Sequence, residues 1–203
     1  MAIEQILIDS QISPLAGVDE AGRGACAGPL VVAAVILKDP FAKELERVRD
    51  SKEIQENERE QLFHIVVNAS MDFSIIVISS EEVDARGVHA ANIDGMRRAV
   101  LALSVIPKYV LTDGYAVPGL GFPSLGVWKG DQVVHSISAA SILAKVTRDH
   151  LMREFDASFP DYGFALHKGY STSAHMDAIR EFGALPIHRR SFANVATIIN
   201  NSK

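Results

Sequence analysis

The sequence predicts an α/β fold, with short strands interleaved among helices, on three observations. Apolar and β-branched runs at 30–37 (LVVAAVIL), 71–79 (MDFSIIVIS) and 109–112 (YVLT) have the length and composition of strands. Longer stretches around 55–66, 90–105 and 133–155 place apolar residues three and four apart, the period of amphipathic helices. No internal repeat, low-complexity tract or long linker divides the 203 residues, of which 48% are hydrophobic and 22% charged. That is enough for one sizeable core and short for two, so a single domain over residues 1–203 is expected.

In chain order, residues 16–21 and 30–37 read as strands joined by a glycine-rich turn (GRGACAGP), and a hairpin is expected. The 39–60 stretch is dense in mixed charge and passes into a helical pattern near Gln55 that runs through Leu62, Ile65 and Val66. After the 71–79 strand, Ser80-Glu81-Glu82 has the composition of a helix cap with acids in the first turn. A helix over 90–105, carried by Ile93, Met96, Val100, Leu101 and Leu103, is ended by Pro107. The 109–112 strand stops at Asp113-Gly114, and 124–129 is a further strand ending at Gly130-Asp131. Residues 133–155 are the longest helical pattern, with Ser138, Ser141, Lys145 and Arg148 on one polar stripe and Ile137, Ala140, Leu143, Ala144 and Leu151 on the buried side. Pro160 and Gly163 break the chain before a helix over 172–182.

Composition removes several function classes. The longest apolar run is about half of what a membrane-spanning helix needs, so no membrane partner is expected. The first eleven residues, with Glu4 and Asp9, do not read as a signal peptide. Cys26 is the only cysteine, which excludes an intrachain disulfide and a cysteine-based zinc cluster and makes a cytoplasmic setting the default. The net charge of −5 lacks the basic footprint usual in nucleic-acid binders, so local charge matters more than the total.

Asp19, Glu20, Asp113 and Asp131 each fall at or just past a strand end or at a helix entrance. Strand ends of an open α/β sheet converge on a crevice, where clustered carboxylates repel one another unless a cation neutralises them. Oxygen-only ligands favour Mg²⁺ or Mn²⁺ over zinc. Neighbouring side chains on a regular strand point to opposite faces, so Asp19 and Glu20 share a metal only if the strand bends between them or Glu20 offers its backbone carbonyl. The Gly22-Arg23-Gly24 turn lacks the lysine and hydroxyl of a P-loop, and two acids ahead of it would repel a bare phosphate; phosphodiester hydrolysis is favoured over nucleotide storage. From 165 to 190 the charge reverses, with Lys168, Arg180, Arg189 and Arg190, and Gly169-Tyr170 could approach a nucleic-acid backbone and pack a ring on a sugar or base. His167, His175 and His188 lack metal-helix spacing and read as polar surface or phosphate contacts.

Taken together, Gly17-Val18-Asp19-Glu20-Ala21-Gly22-Arg23-Gly24 with Ala27-Gly28-Pro29, Asp50-Ser51-Lys52, Thr112-Asp113-Gly114, Lys129-Gly130-Asp131, the 139–149 run AASILAKVTRD, His167-Lys168-Gly169-Tyr170 and His188-Arg189-Arg190-Ser191-Phe192 resemble the ribonuclease HII family, in order from about residue 15 to 195. Ala25-Cys26 and Glu53-Ile54 depart from its common Pro-Leu and Lys-Leu. The resemblance implies a ribonuclease H-like fold, a mixed five-stranded sheet flanked by helices, with a C-terminal helical extension from about residue 158 completing the substrate groove. It also implies endonucleolytic cleavage of the RNA strand of RNA/DNA hybrids and cutting on the 5′ side of single ribonucleotides embedded in duplex DNA. By motif position, Asp19, Glu20, Asp113 and Asp131 would be the catalytic and metal-binding acids, with Asp19 bridging two ions. Gly22, Arg23 and Gly24 would contact the ribose 2′-OH and nearby phosphates, and Tyr170 would stack at the RNA-to-DNA junction. Lys52, Ser141 and Lys145 would contact phosphate, and Asp149 is taken as a structural helix residue.

The implied reaction is two-metal hydrolysis with Mn²⁺ or Mg²⁺, one ion activating water and the other stabilising the leaving 3′-oxygen. The partners implied are an RNA/DNA hybrid or ribonucleotide-containing duplex DNA, handled by a monomer. Two rival readings stand beside it: a catalytically silent hybrid-binding module, and a related-fold nuclease acting on DNA junctions.

Overall fold

Buried strands need neighbours on both sides, and the chain supplies them from sequence-distant segments. The computed structural model describes residues 3–48 and 54–201; the Asp50-Ser51-Lys52 motif, and with it Lys52, lies outside the described residues. Five strands form one sheet: β1 (Leu15–Ala21), β2 (Leu30–Leu37), β3 (Ser70–Ile78), β4 (Tyr109–Asp113) and β5 (Ser124–Val127), in the order β3-β2-β1-β4-β5. β1 pairs antiparallel with β2, as the expected hairpin, and parallel with β4, which pairs parallel with β5. The sheet is therefore mixed, with β1 at its centre. β2 is buried at every position, which accounts for its uninterrupted apolar sequence.

The helices among the described residues are α1 (Ile3–Asp9), α2 (Glu56–Ala69), α3 (Ser80–Arg86), α4 (Val88–Leu101), α5 (Gly130–Val133), α6 (His135–Ser158), α7 (Phe164–His167), α8 (Ser173–Phe182) and α9 (Ala193–Asn201). None is long and apolar enough to cross a membrane. Three boundaries differ from expectation for local reasons. The cap of α3 is Ser79, whose hydroxyl accepts from Glu82 N, while the Ser80 hydroxyl donates to Pro186 O (3.3 Å). α4 stops before 105 because the Asp72 carboxylate on β3 takes the amides of Ser104 (2.6 Å) and Val105 (2.8 Å) away from the helix. β5 stops at Val127 because Lys129 turns left-handed at φ 52° to open α5.

The chain divides into two compact units. The first comprises 1–21, 31–76 and 93–146 and holds most of the sheet. Within it α6 lies directly on β1: a Cβ on Gly17 would stand 2.1 Å from the Ser136 carbonyl carbon. The start of α6 is fixed by Glu4, which is fully buried on α1. Its carboxylate accepts from the amides of His135 (2.7 Å) and Ser136 (2.9 Å) and from the Ser136 hydroxyl (2.7 Å), serving as a helix cap supplied from another helix. Burial pushes the Glu4 carboxyl up, but these bonds outweigh it and the net shift is down; bonding to Glu4 raises the His135 imidazole.

The second unit comprises 22–30, 77–92 and 147–203. Its core packs Cys26, Ala27, Met152, Tyr162, Phe164, Ile179, Val195 and Ile198, with Phe155, Ile187 and Phe192 against them.

Candidate active site

Because β1, β4 and β5 run parallel, their carboxyl ends share one edge of the sheet. Asp19 sits near the end of β1, Asp113 is the last residue of β4, and Asp131 lies in α5 just past β5. One carboxylate oxygen from each of the three lies within 4.8 Å of the others. Asp113 Oδ1 accepts from Gly130 N (2.7 Å), tying β4 to α5. The Ser138 hydroxyl on α6 donates to Asp131 O (2.7 Å). Gly130 packs closely against α6: a Cβ there would stand 2.5 Å from Ile137 Cδ1, so that side chain would have to shift to admit it.

Asp19 is buried, and its carboxyl is held well above the ordinary range by that burial and by the charges of Glu20 and Asp113. Hydrogen bonds from Glu20 N (2.7 Å to Oδ1) and from the Ser141 hydroxyl act in the opposite direction. Three crowded oxygens, one of them so reluctant to ionise, form a donor set that a hard divalent cation would stabilise.

Glu20 lies outside this group. Its register with β2 is regular, Asp19 opposite Ala33 and Glu20 opposite Val32, so no bulge separates the two acids and the pleat sends their side chains to opposite faces.

The polar stripe on α6 is not a solvent face. Ser138, Ser141 and Arg148 are buried and Lys145 is half-buried. Ser141, expected at phosphate, bonds Asp19. Asp149 is buried within α6.

In the second unit, Gly22 adopts φ +86° and Gly28 φ +80°, which favour glycine, and a Cβ on Gly22 would collide with the Arg148 side chain. Gly24 is different: it is exposed, has no positive φ, and a Cβ there would meet nothing within 4 Å. Arg23 is half-buried and Tyr170 is 42% exposed.

The histidine reading is corrected here, because His175 and His188 are buried and His167 is half-buried with both ring nitrogens committed. His167 Nε2 donates to Tyr162 O (2.7 Å) and Nδ1 accepts from Gly169 N (3.1 Å). Leu185 N donates to His188 Nδ1 (2.8 Å), and His175 Nδ1 faces Tyr170 O (2.9 Å), an obligate acceptor. Those two contacts make the 3.0 Å link between the rings a donation from His188 Nε2 to His175 Nε2, with both rings neutral. The histidines thus shape the loop that carries Tyr170.

Sequence reasoning missed that Arg148 and Arg189 are fully buried and donate to backbone carbonyls. No signal in the sequence could have shown it, since a carbonyl acceptor leaves no letter in the chain.

A mixed sheet with carboxylates gathered at the ends of its parallel strands fits a metal-dependent hydrolase, and the comparisons with known proteins make it a ribonuclease of ribonuclease H-like fold. The Ribonuclease HII family profile matches residues 16–195. A ribonuclease HII of Rhodococcus opacus is 52% identical over 198 residues, covering 98% of this chain and 88% of the relative. One of Mycobacterium avium is 53% identical over 200 residues, covering 98% and 87%. The crystal structure of ribonuclease H2 from Pyrococcus horikoshii superposes with a TM-score of 0.80 at 26% identity, covering 92% of this chain and 97% of that one. A ribonuclease HIII solved with Mn²⁺ shares the fold, with a TM-score of 0.68 at 17% identity, covering 97% of this chain and 73% of that one. This chain belongs to the ribonuclease HII family, whose activity is endonucleolytic cleavage in RNA/DNA hybrids.

Proposed function

We propose that this ribonuclease hydrolyses the RNA strand of hybrids and cuts 5′ of a single ribonucleotide in duplex DNA. The observation that carries the reading is the carboxylate group of Asp19, Asp113 and Asp131 at one edge of the sheet. Those three side chains would hold Mn²⁺ or Mg²⁺, with Glu20 contributing its backbone carbonyl, the route that the pleat leaves open to it. Two such ions would supply an activated water and neutralise the departing 3′-oxygen.

The residues of this chain do the rest. Ser141 orients Asp19, and Ser138 fixes the backbone of Asp131. Gly22, Arg23 and Gly24 are assigned to the ribose 2′-OH and adjacent phosphates. At Gly24 neither backbone conformation nor packing calls for glycine, and the open space beside it would let a ligand approach the backbone closely. Tyr170, supplied by the C-terminal part from about residue 158, is assigned to stacking, Lys145 to a phosphate, and Lys52 likewise on its motif alone. A cytoplasmic monomer completes the reading.

The test is cleavage of a duplex containing one ribonucleotide, run in Mg²⁺ and in Mn²⁺ beside an all-DNA duplex. Asp19→Asn should abolish cutting in both ions; unchanged cutting in Mn²⁺ sinks the site assignment. Tight binding with no product under any divalent ion would instead indicate a silent hybrid-binding module.

A further inference from the structure

Arg148 and Arg189 are both completely buried, and both spend their fork on main-chain carbonyls. Arg148 donates from Nε to Pro29 O (2.9 Å), from Nη2 to Ala27 O (3.0 Å) and from Nη1 to Lys168 O (2.9 Å). Arg189 donates from Nε and Nη2 to Gly28 O (3.2 and 3.0 Å) and from Nη1 to Arg23 O (3.0 Å). Burying a guanidinium is costly, and burial lowers both groups, Arg189 to about 10. Apolar side chains would fill the same volume at less cost. What a planar fork adds is a grip on several segments at once, in directions an ammonium cannot match.

The segments gripped are the two assigned above to substrate. Arg148 holds the glycine-rich turn at Ala27 and Pro29 and the following loop at Lys168, and its guanidinium lies 5.7 Å from the centre of the Tyr170 ring. The fit leaves no slack: a Cβ on Gly22 would stand 1.9 Å from Arg148 Nε, and one on Gly169 would stand 2.3 Å from Ala27 O.

We propose that Arg148 is a positioning residue that locks the Gly22-Arg23-Gly24 turn and the Tyr170 loop into one rigid reader, so that recognition of a ribonucleotide depends on its fork and not merely on its charge. This rests on the reading that both segments contact substrate.

Arg148→Lys, which keeps the charge and loses the fork, tests it in the full-length chain at a temperature where circular dichroism shows it folded. The KM for a one-ribonucleotide duplex should rise about tenfold or more, with a smaller change in kcat. Adding Tyr170→Ala should raise KM no further than the larger single change. A filler role alone would lower the melting temperature and leave KM in place, and that result overturns the proposal, as does strict additivity with Tyr170→Ala. If Arg23→Ala and Tyr170→Ala both leave KM unchanged, the substrate reading fails and the proposal falls with it. If those two raise KM and folded Arg148→Lys does not, only the proposal fails. Should Arg148→Lys not fold, Arg189→Lys, which loosens the turn at Arg23 and Gly28, carries the same expectation and the same refutation.

Discussion

Acidification between pH 7 and pH 5 should weaken this protein through one buried pair, His175 and His188. Burial is the first cause that depresses each ring from an ordinary 6.5 to about 4, and each ring then feels a neighbouring imidazole. In the unfolded chain both rings take up protons as pH falls below 6.5; in the folded chain they stay neutral until near 4. Protons bound by the unfolded state alone lower stability, so the loss begins below about pH 6.5 and levels off once the folded rings titrate. At pH 5 the linkage comes to about 2 kcal/mol per ring, or about 4 kcal/mol if the two were independent. Urea unfolding at pH 7, 6 and 5 measures it directly, with His188→Gln as the control. That substitution keeps a donor toward His175 Nε2 and removes one titrating ring, so its stability should fall by about half as much. NMR titration of the ring carbons supplies the second arm, with neither signal moving above pH 5. A ring that titrates near 6.5, or equal pH dependence in the two proteins, refutes the neutral-pair assignment.

Other expectations follow from contacts equally local. Glu4→Ala should cost about 2 kcal/mol in unfolding free energy, because two amides in the first turn of α6 lose their acceptor. Glu4→Gln should cost less, and NMR should show the His135 pKa falling back toward 6.5. Gly17→Ala should destabilise by about 3 kcal/mol or more and weaken Mn²⁺ binding by calorimetry, since its Cβ would force α6 off β1. Gly24→Ala should leave the melting temperature unchanged and raise KM for a ribonucleotide-containing duplex, the opposite signature.

The sheet was legible because most of its strands are apolar runs of strand length, and the three aspartates because each lies near, at or just past the end of a strand. What escaped notice was tertiary. α9 (ANVATIINN) carries β-branched and asparagine residues of modest helix propensity, and its helicity comes from packing Val195 and Ile198 into the second core. Nothing in the sequence pairs Glu4 with the bare amides that open α6, 131 and 132 positions away. The polar stripe of α6 had the correct period and the wrong environment: periodicity tells which residues share a face but not whether that face meets water or buried carbonyls. The Asp19-Glu20 parity argument, by contrast, needed only the pleat, and the regular register bears out its geometric premise.

The turn that begins at Gly22 follows the first acids immediately, yet its long-range bonds come from much later in the chain: Arg148 to Pro29 spans 119 positions and Arg189 to Arg23 spans 166. Closing loops of that size is entropically slow, and a ribosome delivers the turn long before its partners. A nascent chain that has reached residue 146 already carries all four acids, while the turn has none of its arginine ties. Under the assignment proposed above, the residues for cutting are all synthesised early, and the side chains that hold the selecting turn come last.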